Sequence, residues 1–182
     1  QYSDDIAEGK IVSASVSENN AVVGSHVSKR HNQQLTVTVS QGVHMVTIPN
    51  DVLDTNSANG KDPLSALKKA GFDNIKHDDS KDEYSLDKPE GAALSISPDP
   101  GTTIKHNDEV TVTLSKGPMP VSMPDVVGKT KDEMQAAFDE LKLTANITEQ
   151  FDDKIAAGEV ISASQDAGAQ LKWGDSVDVV VS

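Results

Sequence analysis

The chain has 182 residues, a formal net charge of −13, no cysteine and only 3% aromatic residues. The negative charge argues against nucleic acid, whose phosphates need a surface rich in Lys and Arg, and against binding to anionic lipid by bulk charge. The absence of cysteine excludes disulfides, and because so few residues are aromatic, the cores have to be built from aliphatic side chains. No apolar run reaches the roughly 20 residues of a membrane-spanning helix, so we expect no membrane span within the chain.

Residues 1–42 show the pattern of two strands and no helix. Apolar residues alternate with Ser and Thr over residues 12–17 and over residues 35–40, which is the period-2 pattern of half-buried strands. Since no helical segment precedes these strands, we expect one sheet face to be uncovered. Such a fragment is expected to be poorly ordered, to pack on its neighbour or to pair with another chain.

Residues 43–117 contain a complete set of elements. Residues 45–49 open the segment, and the polar residues 54–61 predict a loop. Asp62 and Pro63 predict the start of a helix, since Asp can cap backbone N–H groups and Pro has no N–H to satisfy. Gly71 predicts its end in left-handed geometry. The remaining elements predicted here are a strand from residue 72, an acidic loop at 77–83 and strands at 93–97 and 110–114.

Residues 118–182 repeat this order. The sequence Gly-Pro-Met-Pro at 117–120 predicts a short stiff linker, because proline restricts its own φ and the preceding residue. Thr130 and Glu133 have the spacing of a capping box, which predicts a helix start. Apolar residues at 134, 137, 138 and 141 then share one helical face. Strands are predicted at 145–151, 160–164 and 177–181.

Part of the sequence occurs three times. Residues 91–115 align without gaps to residues 158–182, with two glycines, two aspartates and a lysine at matching places. A degraded copy opens the chain, with insertions that include one around residues 17–23. Self-similarity of this kind indicates an array of small units, each of which has its own core. We therefore predict an α+β fold in three units, 1–42 (the later half of a unit), 43–117 and 118–182, each complete unit having one helix packed on a three-stranded antiparallel sheet.

The spaced motifs resemble those of a PASTA domain. They are Met-Pro-Asp-Val-Val-Gly at 123–128, Gly-Glu-Val-Ile-Ser at 158–162, Gln-Asp-Ala-Gly at 165–168 and the alternating strand that ends the chain. The resemblance implies a linear array of PASTA units from the extracellular region of a Hanks-type serine/threonine kinase, which binds peptidoglycan fragments (muropeptides) or lipid II. A structural spacer array and the PASTA tail of a penicillin-binding protein are the alternatives. Ala167, Pro98 and Asn107 depart from the family pattern, and two of these three lie in the middle unit, which favours the last unit for a ligand site.

The resemblance also implies a place for the protein. Gln1 is not an initiator Met and falls inside a unit, so we expect the chain to be a piece of a longer protein. The expected location is the surface of a Gram-positive bacterium, tethered by a transmembrane helix outside this chain. A homodimer formed on ligand binding is a further expectation.

Five residues of the last unit are candidates for ligand binding. Trp173 can stack on a sugar ring while Lys172 meets a carboxylate; the alternative is an indole folded back on its own sheet. Gln165 and Asp166 can hydrogen-bond a stem peptide, although Asp166 can instead form an Asx turn. Gln150 completes the candidate set.

Catalytic, metal and cofactor sites are not predicted. The chain has no G-x-S-x-G, no Cys nucleophile and no H-E-x-x-H, so we expect a non-catalytic region. The five histidines are scattered through polar loops and are read as solvated. Residues 54–60 match a calcium loop poorly, because Asn59 falls one place late and the distant Glu is missing.

Overall fold

The computed structural model describes residues 1–16 and 34–182, and the insertion predicted around residues 17–23 lies outside them. The described residues form mostly short strands, with helices after β3 and after β8. The strands are β1 Ile11–Val16, β2 Leu35–Val39, β3 Met45–Thr47, β4 Ile75–His77, β5 Ala93–Ser97, β6 Thr103–Lys105, β7 Val110–Leu114, β8 Pro120–Ser122, β9 Thr144–Glu149, β10 Val160–Ala163, β11 Gln170–Lys172 and β12 Ser176–Val181. The helices are α1 Ala58–Lys61, α2 Pro63–Ala70 and α3 Lys131–Glu140, with a single 3₁₀ turn at Asp79–Lys81.

The first two strands form an antiparallel pair, as the alternating pattern predicts. One side of this pair is uncovered by the described residues: Ile11 is 62% exposed and Leu35 is 53% exposed. The pair nevertheless belongs to a compact unit that combines Gln1–Lys76 with Ile96–Val112. Of the three expected outcomes for this fragment, packing on its neighbour is therefore the one observed.

The middle helix begins and ends where its caps predict. Asp62 accepts a hydrogen bond from the Ser65 backbone N–H at 3.1 Å, and Pro63 occupies the first turn of α2. Gly71 ends the helix with φ 105°, a left-handed conformation that is costly for residues with a Cβ. The helix buries Ala66 and Leu67.

The loop predicted at 54–61 is partly helical, which the prediction missed. Ser57 caps α1 by accepting a hydrogen bond from the Gly60 N–H at 2.8 Å. Gly60 is buried, and a Cβ there would overlap the carbonyl oxygen of Asp54. A single turn of four polar and small residues has no hydrophobic period, so the sequence pattern gave no sign of a helix.

The last helix, α3, packs on a core of buried hydrophobic side chains. Both bonds of the capping box between Thr130 and Glu133 are present at its start. Its residues Met134 and Phe138 are fully buried. Apolar side chains from the segments on either side of α3 and from the strands complete this core: Val121, Met123, Val126, Leu143, Val160, Val177, Val179 and Val181.

The sheets agree with the α+β class but differ in one pairing. In the last sheet the strand order is β10-β12-β9, and β10 pairs with β12 in antiparallel fashion. The pairing of β12 with β9 is parallel, so the sheet is mixed and not wholly antiparallel as predicted. The reason is the path of the chain: β10 runs back along the sheet, so β12 starts at the end where β9 started. The middle sheet has the corresponding order β5-β7-β4.

Two short antiparallel pairs were not predicted. β3 pairs with β6, and β8 pairs with β11, over three residues each. They attach the opening segment of each complete repeat to the turn between its last two long strands. Strands of three residues lie below the length at which alternation is recognisable.

Within the described residues, the serine that directly follows β2, β7 and β12 makes the same long-range contacts in each copy. The hydroxyl groups donate to backbone carbonyls at 2.6, 2.8 and 3.0 Å. The donor and acceptor pairs are Ser40 to Ile6, Ser115 to Lys88, and Ser182 to Ile155. The serine carbonyls in turn accept from the N–H groups of Gly9, Gly91 and Gly158.

Compact units do not follow the predicted repeat borders. One unit is Gln1–Lys76 with Ile96–Val112, and the other is His77–Ser95 with Thr113–Ser182. The first unit combines residues 1–42 with two parts of the middle repeat, and the second combines the rest of the middle repeat with residues 118–182. The domain bounds 1–42, 43–117 and 118–182 therefore remain a prediction.

Candidate functional site

A groove of about 210 Å³ lies in the second unit, between the segment before α3 and the turn after β10. Two backbone hydrogen bonds of 2.8 Å hold the segment and the turn together: Met123 N–H donates to Ala169, and Gly168 N–H donates to the Met123 carbonyl. Gln165 and Asp166 line the groove and are exposed. The structure thus brings two of the five candidates together with the Met-Pro-Asp-Val-Val segment.

The polar groups of Gln165 and Asp166 are available to a ligand. Within the described residues, neither side chain makes a hydrogen bond or an ion pair. The turn is closed by the Asp166 carbonyl, which accepts from Ala169 N–H at 3.0 Å, so the carboxylate is not used as in an Asx turn. An amide with both donor and acceptor groups therefore stands beside a free carboxylate.

Trp173 lies elsewhere in the same unit and is half-buried. The Lys142 ammonium nitrogen lies 3.6 Å from the centroid of the indole ring, within cation–π distance. Tyr84 approaches the ring edge-on with centroids 6.5 Å apart. The indole is therefore already in contact with a cation and a second ring, and it does not line the groove of Gln165 and Asp166.

The cation on Trp173 is not the one that the sequence suggested. Lys172 precedes Trp173 on β11, and its backbone N–H donates to Asp175 at 2.8 Å; its side chain is exposed. Lys142 reaches the ring instead, from the second residue after the end of α3. It has φ 52°, at the place where the middle repeat has Gly71. The sequence did contain a signal that Lys142 is unusual, because a lysine stands where a glycine is expected to end the helix.

Gln150 lines a third region, a groove of about 530 Å³. Its other lining residues are Glu149, Phe151, Asp152, Ile155, Ala157 and Ser182. The five candidate residues are thus distributed over three places, with Gln165 and Asp166 in one, Trp173 and Lys172 in another and Gln150 in the last.

The acidic loop contains one histidine cluster. His77 lies between two carboxylates, with Nδ1 3.2 Å from Asp79 and Nε2 3.0 Å from Asp82. The Asp82 side chain is only 11% exposed, and it also accepts from the Leu114 N–H at 2.9 Å. Within the described chain these three residues have donor atoms close enough for a metal ion. Both nitrogens of the His77 ring already face carboxylates. Because Asp82 also bonds Leu114, the cluster connects the loop to β7. The prediction of a solvated loop missed this connection.

The described helices are all too short or too polar to cross a membrane. The longest of them, α3, has ten residues.

Comparisons with known proteins agree with the fold and the repeats. The chain is 77% identical, over all 182 residues, to the protein named Probable serine/threonine-protein kinase pknA2 of Bifidobacterium longum. It is 34% identical over 87% of its length to a protein of Streptomyces coelicolor with the same kinase description. The chain spans 24% and 22% of these relatives, respectively.

Solved structures are similar over the whole chain. The extracellular region of the Ser/Thr kinase PrkC from Staphylococcus aureus matches with a TM-score of 0.60 and 25% identity, over 100% of this chain and 60% of that one. A three-PASTA-domain structure of a Ser/Thr kinase from the same organism matches with a TM-score of 0.54 and 24% identity, over 83% of its length. The sequence model of the PASTA domain matches residues 51–116 and 121–182. Since these two segments make up well over half of its residues, the chain belongs to the PASTA domain family.

Proposed function

We propose that this chain is the extracellular sensor region of a transmembrane serine/threonine kinase and that it binds peptidoglycan fragments, as muropeptides or lipid II. The observation that carries the proposal is the 77% identity, over the full length of the chain, to a relative described as a serine/threonine kinase. The likeness to the extracellular region of Staphylococcus aureus PrkC supports a location outside the cell. The proposed place is the surface of a Gram-positive bacterium, with the tethering helix outside this chain.

The groove of Gln165 and Asp166 is the proposed ligand site. Its floor contains the buried side chains of Met123 and Val126, and Val127 is 56% exposed beside them. An apolar floor with the Gln165 amide and two carboxylates, Asp125 and Asp166, suits a short peptide, since the amide can pair with a peptide bond and a carboxylate with an amino group. Trp173, Lys172 and Gln150 remain candidates for contacts with the rest of a larger ligand.

A titration tests this proposal. The ¹⁵N-labelled chain is mixed with defined muropeptides, and saturable shifts are expected at residues 123–127 and 165–168. The double variant Gln165→Ala/Asp166→Asn should lose them, because it removes the amide of residue 165 and the negative charge of residue 166. Gln41→Ala is the matched control, since it removes an exposed glutamine that lies in the first compact unit and outside the candidate set.

Two results would contradict the proposal. An absence of shifts at millimolar muropeptide would mean that the chain does not bind these fragments. Loss of binding in Gln150→Ala, with the groove variant unaffected, would move the site away from Gln165 and Asp166. Sedimentation with and without muropeptide tests the homodimer, which we propose to form on ligand binding.

A structural spacer is the second candidate function. It is favoured by the contacts of Trp173 with Lys142 and Tyr84, because these contacts within the protein occupy the aromatic ring that was the leading candidate for a ligand contact. A spacer needs defined joints and no ligand. The same titration separates the two functions, since a spacer gives no saturable shifts.

A further inference from the structure

The acidic loop after β4 brings one imidazole and two carboxylates together. His77 is the last residue of β4, Asp79 begins the 3₁₀ turn, and Asp82 follows the turn. Side chains three residues apart in a 3₁₀ turn lie on the same side of it. Asp79 and Asp82 therefore both approach the ring of His77.

The distances between these three side chains are those of neighbouring metal ligands. The Nδ1 atom of His77 lies 3.2 Å from Asp79, and its Nε2 atom lies 3.0 Å from each carboxylate oxygen of Asp82. Zinc binds nitrogen and oxygen at about 2.0–2.2 Å, so two ligands of one ion lie about 3.0–3.5 Å apart. One donor atom from each of the three residues lies within 4.8 Å of the others. A small movement of Asp79, whose side chain is 93% exposed, is enough to bring all three to one ion.

The Asp82 carboxylate is held in place from outside the cluster. Its side chain is 11% exposed, and it accepts a hydrogen bond of 2.9 Å from the Leu114 N–H. Carboxylates that bind metal ions are commonly oriented by such a second hydrogen bond. The neighbouring Asp78 differs, because its carboxylate accepts from the N–H and the hydroxyl of Ser80 within the turn.

The last repeat forms its sheet edge without such a loop. There β9 stays in register with the central strand β12 as far as Glu149. In the middle repeat the strand ends at His77, and Glu83 then forms an isolated bridge with Ser115. Residues 78–82 leave the sheet edge between these two points. Since the last repeat folds without this excursion, the fold does not require the donor atoms that the excursion brings to His77.

The donor set determines the kind of ion. Calcium and magnesium take oxygen ligands, whereas an imidazole combined with carboxylates suits zinc and similar divalent ions. Three ligands from the protein leave a coordination position for water. Asp82 also borders an open groove of about 640 Å³, lined in addition by Ser95 and Thr113, so solvent can reach the cluster.

We propose that His77, Asp79 and Asp82 bind a Zn²⁺ ion and that the ion fixes the acidic loop to β7 through Asp82. The imidazole nitrogen that binds the ion has to be free of a proton, so zinc and protons compete for the site. The site lies in the middle repeat, and the inference does not depend on muropeptide binding.

A zinc titration of the full chain tests the proposal. The chain is freed of metal with a chelator and titrated with zinc chloride, while calorimetry measures affinity and stoichiometry. Because the chain has five histidines, spectra of ¹⁵N-labelled imidazole rings are needed to identify the ring that binds. We expect the ring signals of His77 to shift saturably, with one ion held there per chain. Calcium chloride at the same concentrations should leave these signals in place.

Two aspartate variants provide a matched comparison. Asp79→Asn should weaken zinc binding at least about tenfold, since even the outer partners of metal ligands contribute about 10–100-fold to affinity. Asp78→Asn removes the same charge one position earlier and should leave the affinity unchanged, because an asparagine oxygen can still accept from Ser80. His77→Gln should abolish binding at the loop.

Hydrogen exchange tests the connection to β7. Zinc should slow exchange of the Leu114 N–H, because this group donates to Asp82. Exchange of Leu114 that is the same with and without zinc would overturn this part of the proposal.

Three other results would overturn the site itself: His77 ring signals that do not move at saturating zinc, equal affinities of Asp79→Asn and Asp78→Asn, or full affinity in His77→Gln. Backbone amide spectra of the last repeat show whether each variant is folded. If His77→Gln is not folded, the two aspartate variants decide the question, since both change exposed residues.

Discussion

Tyr84 and Trp173 meet edge to face, with ring centroids 6.5 Å apart and an interplanar angle of 64°. Lys142 contacts the same indole at 3.6 Å from its centroid. Trp173 is the only tryptophan in the chain, and the sequence suggested it as a ligand contact. In the structure it instead contacts Tyr84, which belongs to the preceding predicted repeat, and we expect this contact to contribute to stability.

The contact between Tyr84 and Trp173 should appear as coupling between the two residues. In a double-mutant cycle with Tyr84→Ala and Trp173→Ala, we expect a coupling energy of about 0.5–1.5 kcal/mol, as for other aromatic pairs. Urea unfolding followed by circular dichroism measures it. Phe151→Ala is the control, since a fully exposed side chain should change the free energy of unfolding by less than about 0.5 kcal/mol. Additive single variants would mean that the ring contact adds no stability.

His106 should make the stability of the first unit depend on pH. Its Nε2 lies 3.0 Å from Asp4 and its Nδ1 lies 2.7 Å from Asp73. These hydrogen bonds, first to Asp4 and then to Asp73, raise the pKa of His106 above its ordinary value of 6.5. The His44 ring, stacked on Tyr2, also faces it at 5.9 Å.

The sign of this dependence follows from the raised pKa. The protonated ring is favoured in the folded state, so its contribution is fully present below pH 6.5 and is lost as the pH rises through the folded pKa. We expect His106→Gln to destabilise the chain at low pH and to matter less at high pH. Denaturant titrations of both proteins across this range measure the effect. An NMR titration that places the pKa of His106 at or below 6.5 would contradict it, and Asp4→Asn should lower that pKa.

The capping box of α3 should contribute to the stability of the last repeat. Thr130 accepts from the Glu133 N–H at 3.3 Å, and the Glu133 carboxylate accepts from the Thr130 N–H at 3.0 Å. We expect Thr130→Ala to cost about 1 kcal/mol, the usual effect of losing an N-cap, while Thr130→Ser should retain most of the stability. Thermal unfolding of the two variants checks this.

The same box also adds a dependence on pH. Hydrogen bonds from the Thr130 backbone and then from its side chain lower the pKa of Glu133 below 4.5. The contribution of Glu133 is therefore present above pH 4.5 and is lost as the pH falls through the lowered folded pKa. Equal destabilisation by Thr130→Ala and Thr130→Ser would show that the cap is not formed.

Core truncations should test whether the repeats have separate cores. Phe138 of α3 is fully buried in the last core, and Leu67 of α2 is fully buried in the middle repeat. We expect Phe138→Ala to cost about 3–5 kcal/mol and Leu67→Ala about 2–5 kcal/mol. Hydrogen exchange should show Phe138→Ala opening α3 and β12 while α2 keeps its protection. Loss of protection throughout the chain would mean that one core serves both repeats.

The amino-acid sequence by itself determined the elements that depend on neighbouring residues. Asp62, Pro63 and Gly71 located the ends of α2, and Thr130 and Glu133 located the start of α3, because caps act within one turn of a helix. The alternating patterns located the longer strands for a similar reason: each residue is sorted by its own polarity. The repeats and the family also followed from the sequence, since spaced glycines and prolines mark positions where few other residues fit.

Only the tertiary structure decided which of these elements meet. The parallel pairing of β9 with β12 depends on the path of the chain between them, and α1 has no periodic pattern. The candidate site was only partly predicted: Gln165 and Asp166 share a groove, but Trp173 is held by Lys142 and Tyr84, which lie far from it in sequence. A contact between distant residues is fixed by packing in three dimensions, and the local sequence pattern carries no record of it.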